Sequence, residues 1–304
     1  MFPIIPANTA TASFPENDEG IFGFGFKSPG GAQSMTNLVS NAGVVASDTA
    51  GVGTARYGLA ACEYGGDKGI FGYGETPGVF ISTTNLVSNA GVVASDTTGV
   101  GTARRMVAAC EYGEDKGIFG FGTTPTVVSI TNLVSNAGVV ATDQAATTGT
   151  ARRDLAACEY GGDKGIFGFG NPGADSVTSI TNLVSNTGVV ASDQAATTGT
   201  GRRYIAACGY GGDKGIFGFG NSGGAQSMTN LVSNAGVVAS DTAGVGTARY
   251  GLAACEYGGD KGIFGFGTTY TNITNLVSNT GVVATDQAAT TGTGRQEFAA
   301  CSFN

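Results

Sequence analysis

Residues 150–193 read TARRDLAACEYGGDKGIFGFGNPGADSVTSITNLVSNTGVVASD, and close variants of this segment fill most of the 304-residue chain. The GIFGFG part, GIFGYG in one copy, occurs six times, with neighbouring copies 47 to 50 residues apart. The copies begin at Gly20, Gly69, Gly117, Gly165, Gly215 and Gly262. A period this long and this regular indicates a repeat architecture.

Each repeat contains four short apolar runs, LAAC, GIFGFG, ITNLVS and GVVAS, separated by clusters of Gly, Asn, Asp and Ser that are typical of turns. None of the runs has the apolar spacing or the length of a helix, and 53 glycines make stable helices unfavourable. The sequence therefore predicts an all-β chain with four strands per repeat.

Six four-stranded repeats fit a β-propeller, and the main rival is a linear β-solenoid. The ends of the chain favour the propeller: the first GIFGFG has no LAAC run before it, and residues 295–304, RQEFAACSFN, are a LAAC run with nothing after it. We predict a closed six-bladed β-propeller over residues 20–304, with four antiparallel strands per blade and the C-terminal strand completing the first blade.

Residues 1–19 are predicted to be an arm that packs on the ring. The segment ATASFPENDEG weakly resembles AACEYGGDKG, so an alternative is that the arm takes a strand position in the first blade. The start of the chain has no basic region of the kind that opens a signal peptide, and no apolar run reaches the roughly 18 residues that span a membrane.

Side-chain size suggests how the blades pack. The small LAAC residues suit the crowded position nearest the axis. Alternation along GIFGFG places Phe22 and Phe24 on one face and Ile21, Gly23 and Gly25 on the other. We expect the bulky face of each blade to meet the glycine-lined face of its neighbour.

Composition excludes several classes of function. The net charge is −8 and Lys plus Arg number only 15, which argues against a nucleic-acid partner. With no histidine, the chain has no Ser/His or Cys/His pair, and its acidic residues recur once per repeat instead of converging as one pair. No helix follows GIFGFG as a phosphate-binding loop requires. We predict a protein that is not an enzyme and uses no cofactor.

Six cysteines occupy the same position in every repeat. Neighbours on a hexagon are one radius apart, so disulfides would need them within about 7 Å of the axis. We therefore predict buried free thiols and no metal site, since CxxC spacing is absent too.

An aspartate after GVVAS and an arginine before LAAC also recur in every copy. One interpretation is structural, with the aspartate capping a turn and the arginine bonding to it or to a carbonyl. The alternative is a ring of guanidinium groups that binds an anion at the channel mouth. The residues are Asp48, Arg56, Asp96, Arg104, Asp143, Arg152, Asp193, Arg202, Asp241, Arg249, Asp286 and Arg295.

The repeats differ most in the connection from GIFGFG to ITNLVS, which is where recognition is expected on a rigid scaffold; sequence drift is the alternative. The candidate binding residues are Phe26, Lys27, Glu75, Phe80, Asp175 and Tyr270. The opposite face carries repeated aromatics that either stack on sugars or pack between blades. These are Tyr64, Tyr112, Tyr160, Tyr210, Tyr257 and Phe303.

The order of arginine, small-residue strand, turn and glycine-flanked aromatic strand resembles kelch-type propellers, although kelch repeats have a double glycine and a tryptophan that this chain lacks. Residues 139–170, VVATDQAATTGTARRDLAACEYGGDKGIFGFG, more closely resemble tandem-repeat propeller proteins encoded by cyanobacterial phages. That resemblance implies a virion-associated or phage-encoded propeller with no catalytic residues. We predict a monomeric structural or binding module, in the virion or in the host cytoplasm during assembly, that recognises a host-surface glycan or protein. An intracellular kelch-like protein-interaction scaffold is the alternative.

Overall fold

The computed structural model describes residues 17–145, 149–195, 197 and 199–304, and short antiparallel strands dominate it. The LAAC strands are Ala60–Tyr64, Ala108–Tyr112, Ala156–Tyr160, Ala206–Tyr210, Ala253–Tyr257 and Ala299–Phe303. The GIFG strands are Glu19–Lys27, Lys68–Gly72, Lys116–Gly120, Lys164–Gly168, Lys214–Gly218 and Lys261–Gly265. The TNLV strands are Gly31–Val39, Thr84–Val87, Thr131–Val134, Thr181–Val184, Thr229–Val232 and Thr274–Val277. A small hairpin, Glu75–Thr76 and Val79–Phe80, and a 3₁₀ turn, Thr268–Tyr270, complete the elements.

The strands form six three-stranded antiparallel sheets, each with the GIFG strand in the middle. We number the sheets 1 to 6 in the order of their GIFG strands. Sheets 2 to 6 are each continuous in sequence, whereas sheet 1 pairs the C-terminal strand with Glu19–Lys27, so that Cys301 lies opposite Ile21. The predicted all-β class with repeated antiparallel sheets is confirmed, and the arrangement is compatible with a propeller-like repeat fold.

The fourth strand predicted for each repeat is reduced to an isolated bridge, such as Val39 with Val45. In three repeats a second isolated bridge follows, such as Thr36 with Thr49, and between the two bridges the Ala46 carbonyl accepts a hydrogen bond of 3.0 Å from the Asn37 side chain. A side chain thus takes the place of the backbone donor that would extend a ladder. The same exchange occurs in all six repeats.

The prediction that Phe22 and Phe24 share a face is wrong. The register shifts between Gly23 and Gly25, where Phe24 has a φ of 65°. This β-bulge reverses the alternation, so Phe22 packs on Phe266 of sheet 6 and Phe24 packs on Phe71 of sheet 2. The equivalent aromatic residue in every repeat has a φ between 59° and 65°.

Glycines make close contact between neighbouring sheets possible, as expected from the sequence. A Cβ at Gly23 would lie 2.7 Å from the Phe71 ring, and a Cβ at Gly117 would lie 2.5 Å from the sulfur of Cys62. Each sheet contributes one glycine of each kind. Five Phe–Phe contacts and the contact between Tyr73 and Phe119 join the six interfaces, with centroid distances of 5.1 to 5.5 Å. The strand Ala299–Phe303 contacts both Ala253–Tyr257 and Ala60–Tyr64.

All six LAAC strands line one central cavity of about 60 Å³. Their cysteines are buried and free, and burial raises the pKa of each thiol. The predicted arm lies mostly outside the described residues; Glu19 already belongs to the first strand, and the Asp18 carbonyl accepts a hydrogen bond from Gly258 N. No helix within the described part of the chain is long and apolar enough to cross a membrane.

Candidate binding face

The twelve repeated aspartates and arginines join consecutive repeats in networks whose arginines are buried and whose aspartates are partly exposed. Arg104, which is fully buried, donates to the carbonyls of Phe121 and Thr102 and, at 2.7 Å, to Asn132 Oδ1. Its guanidinium also lies 4.2 Å from the centre of the Tyr73 ring. The five other arginines lie 4.2 to 5.1 Å from the corresponding ring, and four of them make the same hydrogen bonds. Arg295 differs, because it donates to the Phe22 carbonyl and its Nε has no acceptor among the described residues. Six cations are thus desolvated inside the interfaces between sheets.

Each arginine lies near the aspartate of the following connection, not of its own. The pairs are Arg56 with Asp96, Arg104 with Asp143, Arg152 with Asp193, Arg202 with Asp241, Arg249 with Asp286, and Arg295 with Asp48. Desolvation opposes ionisation of these aspartates, but hydrogen bonds from threonine and asparagine outweigh it and lower each pKa. Burial lowers the pKa of the arginines, to about 10 for Arg152.

A repeated asparagine completes these networks, and the sequence analysis missed it. Asn132 is fully buried; it accepts from Arg104 and donates to Asp143 Oδ1 at 2.9 Å. A polar residue inside the apolar TNLV run, repeated six times, was the available signal. Because the guanidinium groups are buried and bonded to carbonyls and this amide, they are not exposed to an anion in solution.

Six residues, each two positions before a LAAC strand, form a ring around one end of the central cavity. The backbone N–H of each donates to the carbonyl of the residue before it in the ring, at 2.6 to 3.3 Å, and the last bond, from Gly58 N to Glu297 O, returns to the start. All six have a φ between 52° and 66°. The ring residues are Gly58, Met106, Asp154, Tyr204, Gly251 and Glu297. We call this end of the cavity the mouth.

The candidate loop residues lie on the same face, because the loops bridge to the residues that precede the ring. Phe26 contacts Tyr57, with centroids 5.3 Å apart, and Tyr270, at 6.4 Å. Lys27 ends the first GIFG strand in the adjoining hairpin. These residues place an aromatic cluster on the loops of sheets 1 and 6 and the connection between sheets 1 and 2.

The remaining candidates contact arginines. Glu75, mostly buried, forms an ion pair with Arg105, whose guanidinium lies 5.6 Å from the Phe80 ring. Asp175 pairs with Arg203 at 2.6 Å. The structure therefore places Phe26 and Tyr270 in an aromatic group and Glu75, Phe80 and Asp175 in an arginine-bound group, and Lys27 belongs to neither.

Two arcs follow from this division. The aromatic arc consists of Tyr204, Tyr250, Tyr270, Phe26 and Tyr57, in which Tyr204 and Tyr250 have centroids 5.7 Å apart. The arginine arc consists of Arg105, Arg153 and Arg203, from three successive repeats. We call the residue between each buried arginine and the ring residue the pre-ring residue; it supplies Tyr57 and Tyr250 to the aromatic arc and all three arginines to the arginine arc. The sequence analysis did not identify this position, although its change from tyrosine to arginine between repeats was visible.

Asp154 is a buried carboxyl in the ring. A cavity of about 70 Å³ at the mouth is lined by the ring residues and by an apolar layer that includes Leu155 and Phe298. Neither Asp154 carboxylate oxygen has a hydrogen-bond partner among the residues that the structure describes, and Arg153 Nε forms an ion pair with it at 3.5 Å. Burial raises the pKa of Asp154 to about 7 against the opposing effect of Arg153, and burial also raises the pKa of Glu297.

The opposite end of the central cavity is acidic and tightly packed. Glu63, Glu111, Glu159 and Glu256 line it, and burial followed by repulsion from Glu63 raises the pKa of Glu111. The repeated tyrosines on this face pack between sheets: a Cβ at Gly138 would lie 3.0 Å from the Tyr64 ring. Within the described ranges no group of three His, Cys, Asp or Glu side chains is arranged to hold a metal ion.

No protein-family model matches the chain, and a search of curated proteins finds no similar sequence. The resemblances to kelch propellers and to phage-encoded propellers therefore remain predictions.

Proposed function

We propose that the chain is a six-bladed β-propeller, closed by its C-terminal strand, and that it is a non-catalytic module that binds a glycan on its loop face. The closure part of the proposal is supported by the pairing of Ala299–Phe303 with Glu19–Lys27 and by the cycle of ring hydrogen bonds. The binding part rests mainly on the aromatic arc, which offers several partly exposed rings on one rigid face.

Aromatic rings favour a saccharide because the C–H groups on a sugar face pack on them and because two-torsion side chains lose little entropy on binding. The scaffold supports this use. The backbone ring and the buried arginines fix the connections from which Tyr57 and Tyr250 project. The rings are thus held in place before a ligand arrives, which reduces the entropic cost of binding.

A glycan array tests the proposal. The wild-type chain should bind a subset of glycans, and Tyr57→Ala and Phe26→Ala should each reduce that signal about tenfold or more by removing a stacking surface. Val237→Ala is the control, because Val237 is 65% exposed in a turn on the opposite face. This variant should bind as the wild type does.

A peptide array on the same preparation covers the alternative. Binding to peptides without glycan binding would favour the kelch-like interaction scaffold and reject the glycan module. Binding to neither array would reject a recognition role for this face. Sedimentation of the same sample tests the predicted monomer, and the phage setting stays an expectation from the resemblance.

A further inference from the structure

The pre-ring position breaks the internal symmetry of the chain. It holds tyrosine, arginine, arginine, arginine, tyrosine and glutamine in successive repeats, at Tyr57, Arg105, Arg153, Arg203, Tyr250 and Gln296. The three arginines are consecutive, so their positive charges fall on one side of the mouth. The chain as a whole carries a net charge of −8, which makes this arc an exception on an acidic protein.

The arginine arc retains unused hydrogen-bonding capacity. The Arg153 side chain makes no hydrogen bond to the described residues, and its contact with Asp154 is a 3.5 Å ion pair. The Nε atoms of Arg105 and Arg153 are buried without an acceptor among the described residues. Arg203 is held by Asp175, whose side chain is 79% exposed, and solvent screens the attraction within such an exposed pair. A ligand anion can therefore displace or supplement these contacts.

The countercharge beneath the arc depends on pH. Asp154 is surrounded by Arg153, Glu297, Arg203 and Arg105, with Tyr204 beside it in the ring. Its pKa of about 7 means that it loses its charge as the solution becomes mildly acidic. The arginines keep theirs, so the charge of this region becomes more positive as pH falls, although Glu75 and Asp175 remain paired with Arg105 and Arg203.

We propose that the arginine arc binds the carboxylate of an acidic saccharide whose rings lie on the aromatic arc, and that this binding strengthens from mildly alkaline to mildly acidic pH. This inference rests on the glycan-binding function proposed above. A guanidinium fork matches a carboxylate in shape and charge, and a uronic acid combines that group with the C–H face that aromatic rings accept.

Calorimetric titration with an oligogalacturonate and with its fully methyl-esterified form tests the proposal. Esterification removes the charge and keeps the sugar rings. The acid form should bind roughly tenfold more tightly or better, as expected for a charge-assisted hydrogen bond, and several-fold more tightly at about pH 6 than at about pH 8. Arg153→Gln should remove the preference for the acid form, while Lys164→Gln, on the opposite face, should not.

Two further variants separate the roles of charge and folding. Arg153→Lys keeps the charge but loses the fork, so it should keep a weaker preference for the acid form. Asp154→Asn removes the countercharge, and its binding of the acid form should be tight and independent of pH. Circular dichroism and a melting curve establish that each variant is folded before titration.

The outcomes distinguish this inference from the function on which it rests. Equal binding of acid and ester, both abolished by Tyr57→Ala, would overturn the arginine assignment and leave the glycan module intact. An acid preference that persists unchanged in Arg153→Gln would also overturn it, as would wild-type binding that does not change between the two pH values. Failure of both forms to bind, together with a blank glycan array, would reject both proposals.

Discussion

Replacing Gly69 with alanine should destabilise the protein, and removing the sulfur of Cys301 should restore most of the loss. Gly69 lies in sheet 2, and a Cβ at that position would overlap Cys301 Sγ on the C-terminal strand of sheet 1. The next nearest atoms, Val87 Cβ and Cys301 Cβ, would be at ordinary contact distances of 3.5 and 3.6 Å. The sulfur is therefore the single severe obstacle.

The magnitudes follow from this geometry. Overpacking a buried site costs about 1–3 kcal/mol, so Gly69→Ala should lower the free energy of unfolding by that amount. Cys301→Ala removes one buried heavy atom and should cost about 1 kcal/mol. In the double variant the new methyl group occupies the space that the sulfur leaves, and alanine in a strand recovers roughly 0.5 kcal/mol of backbone entropy relative to glycine. A coupling of about 1–2 kcal/mol is expected.

Denaturant unfolding of the four proteins, followed by circular dichroism, measures this coupling. Gly69→Ala combined with Cys158→Ala is the matched control, because Cys158 packs against Gly215 between sheets 4 and 5. That combination should be additive within about 0.5 kcal/mol. Additivity of the Gly69 and Cys301 substitutions as well would refute the reasoning, because it would mean that the C-terminal strand does not pack beside sheet 2.

Three further predictions concern a buried charge, a buried amide and the C-terminal strand. Asp154 has a pKa raised from 3.8 to about 7, so its contribution to stability is fully present below pH 3.8 and is lost as pH rises through 7. Asp154→Asn should therefore increase the free energy of unfolding by up to about 4 kcal/mol at about pH 8 and raise the melting temperature there, while leaving both unchanged at low pH. An equal gain at the two pH values would contradict this. Asn132→Ala should cost roughly 3 kcal/mol because it leaves buried donors and acceptors unpaired, whereas Asn136→Ala, in an exposed turn, should cost less than about 0.5 kcal/mol in the same unfolding assay. Deleting residues 295–304 exposes the edge of Glu19–Lys27 and should cause unfolding or association, which light scattering detects. An unchanged monomer with an unchanged melting curve would indicate that the N-terminal arm takes the position of the C-terminal strand.

The sequence predicts the repeated sheets and the packing of phenylalanine on glycine, because both follow from a local pattern of apolar and small residues. It does not predict the bulge at Phe24, since period-two alternation carries no information on φ. The sequence also does not predict that Arg104 lies near Asp143 of the next connection. An equivalent aspartate occurs in every repeat, so the sequence alone does not indicate which repeat supplies the partner of a given arginine.

Context outside a segment sets strand length as well. Residues 30–72 and 223–265 are identical, yet the first contains the nine-residue strand Gly31–Val39 and the second only Thr229–Val232. The difference comes from the preceding residues. Phe26 and Lys27 extend the first GIFG strand and pair with Ala32 and Gly31, whereas Asn221 makes only isolated bridges, with Ala225 and Arg203.

The sameness of the six interfaces has a consequence for folding. Each cysteine fits the glycine of any neighbouring GIFG strand equally well, so side-chain chemistry does not distinguish the correct neighbour from a strand of another repeat or another chain. What selects the native pairing is effective concentration: adjacent repeats are tethered by short connections, and the chain ends must search a loop of almost the whole sequence. We therefore expect the sheet that joins the two ends to be the slowest to form and the one most open to exchange between crowded, unfolded chains.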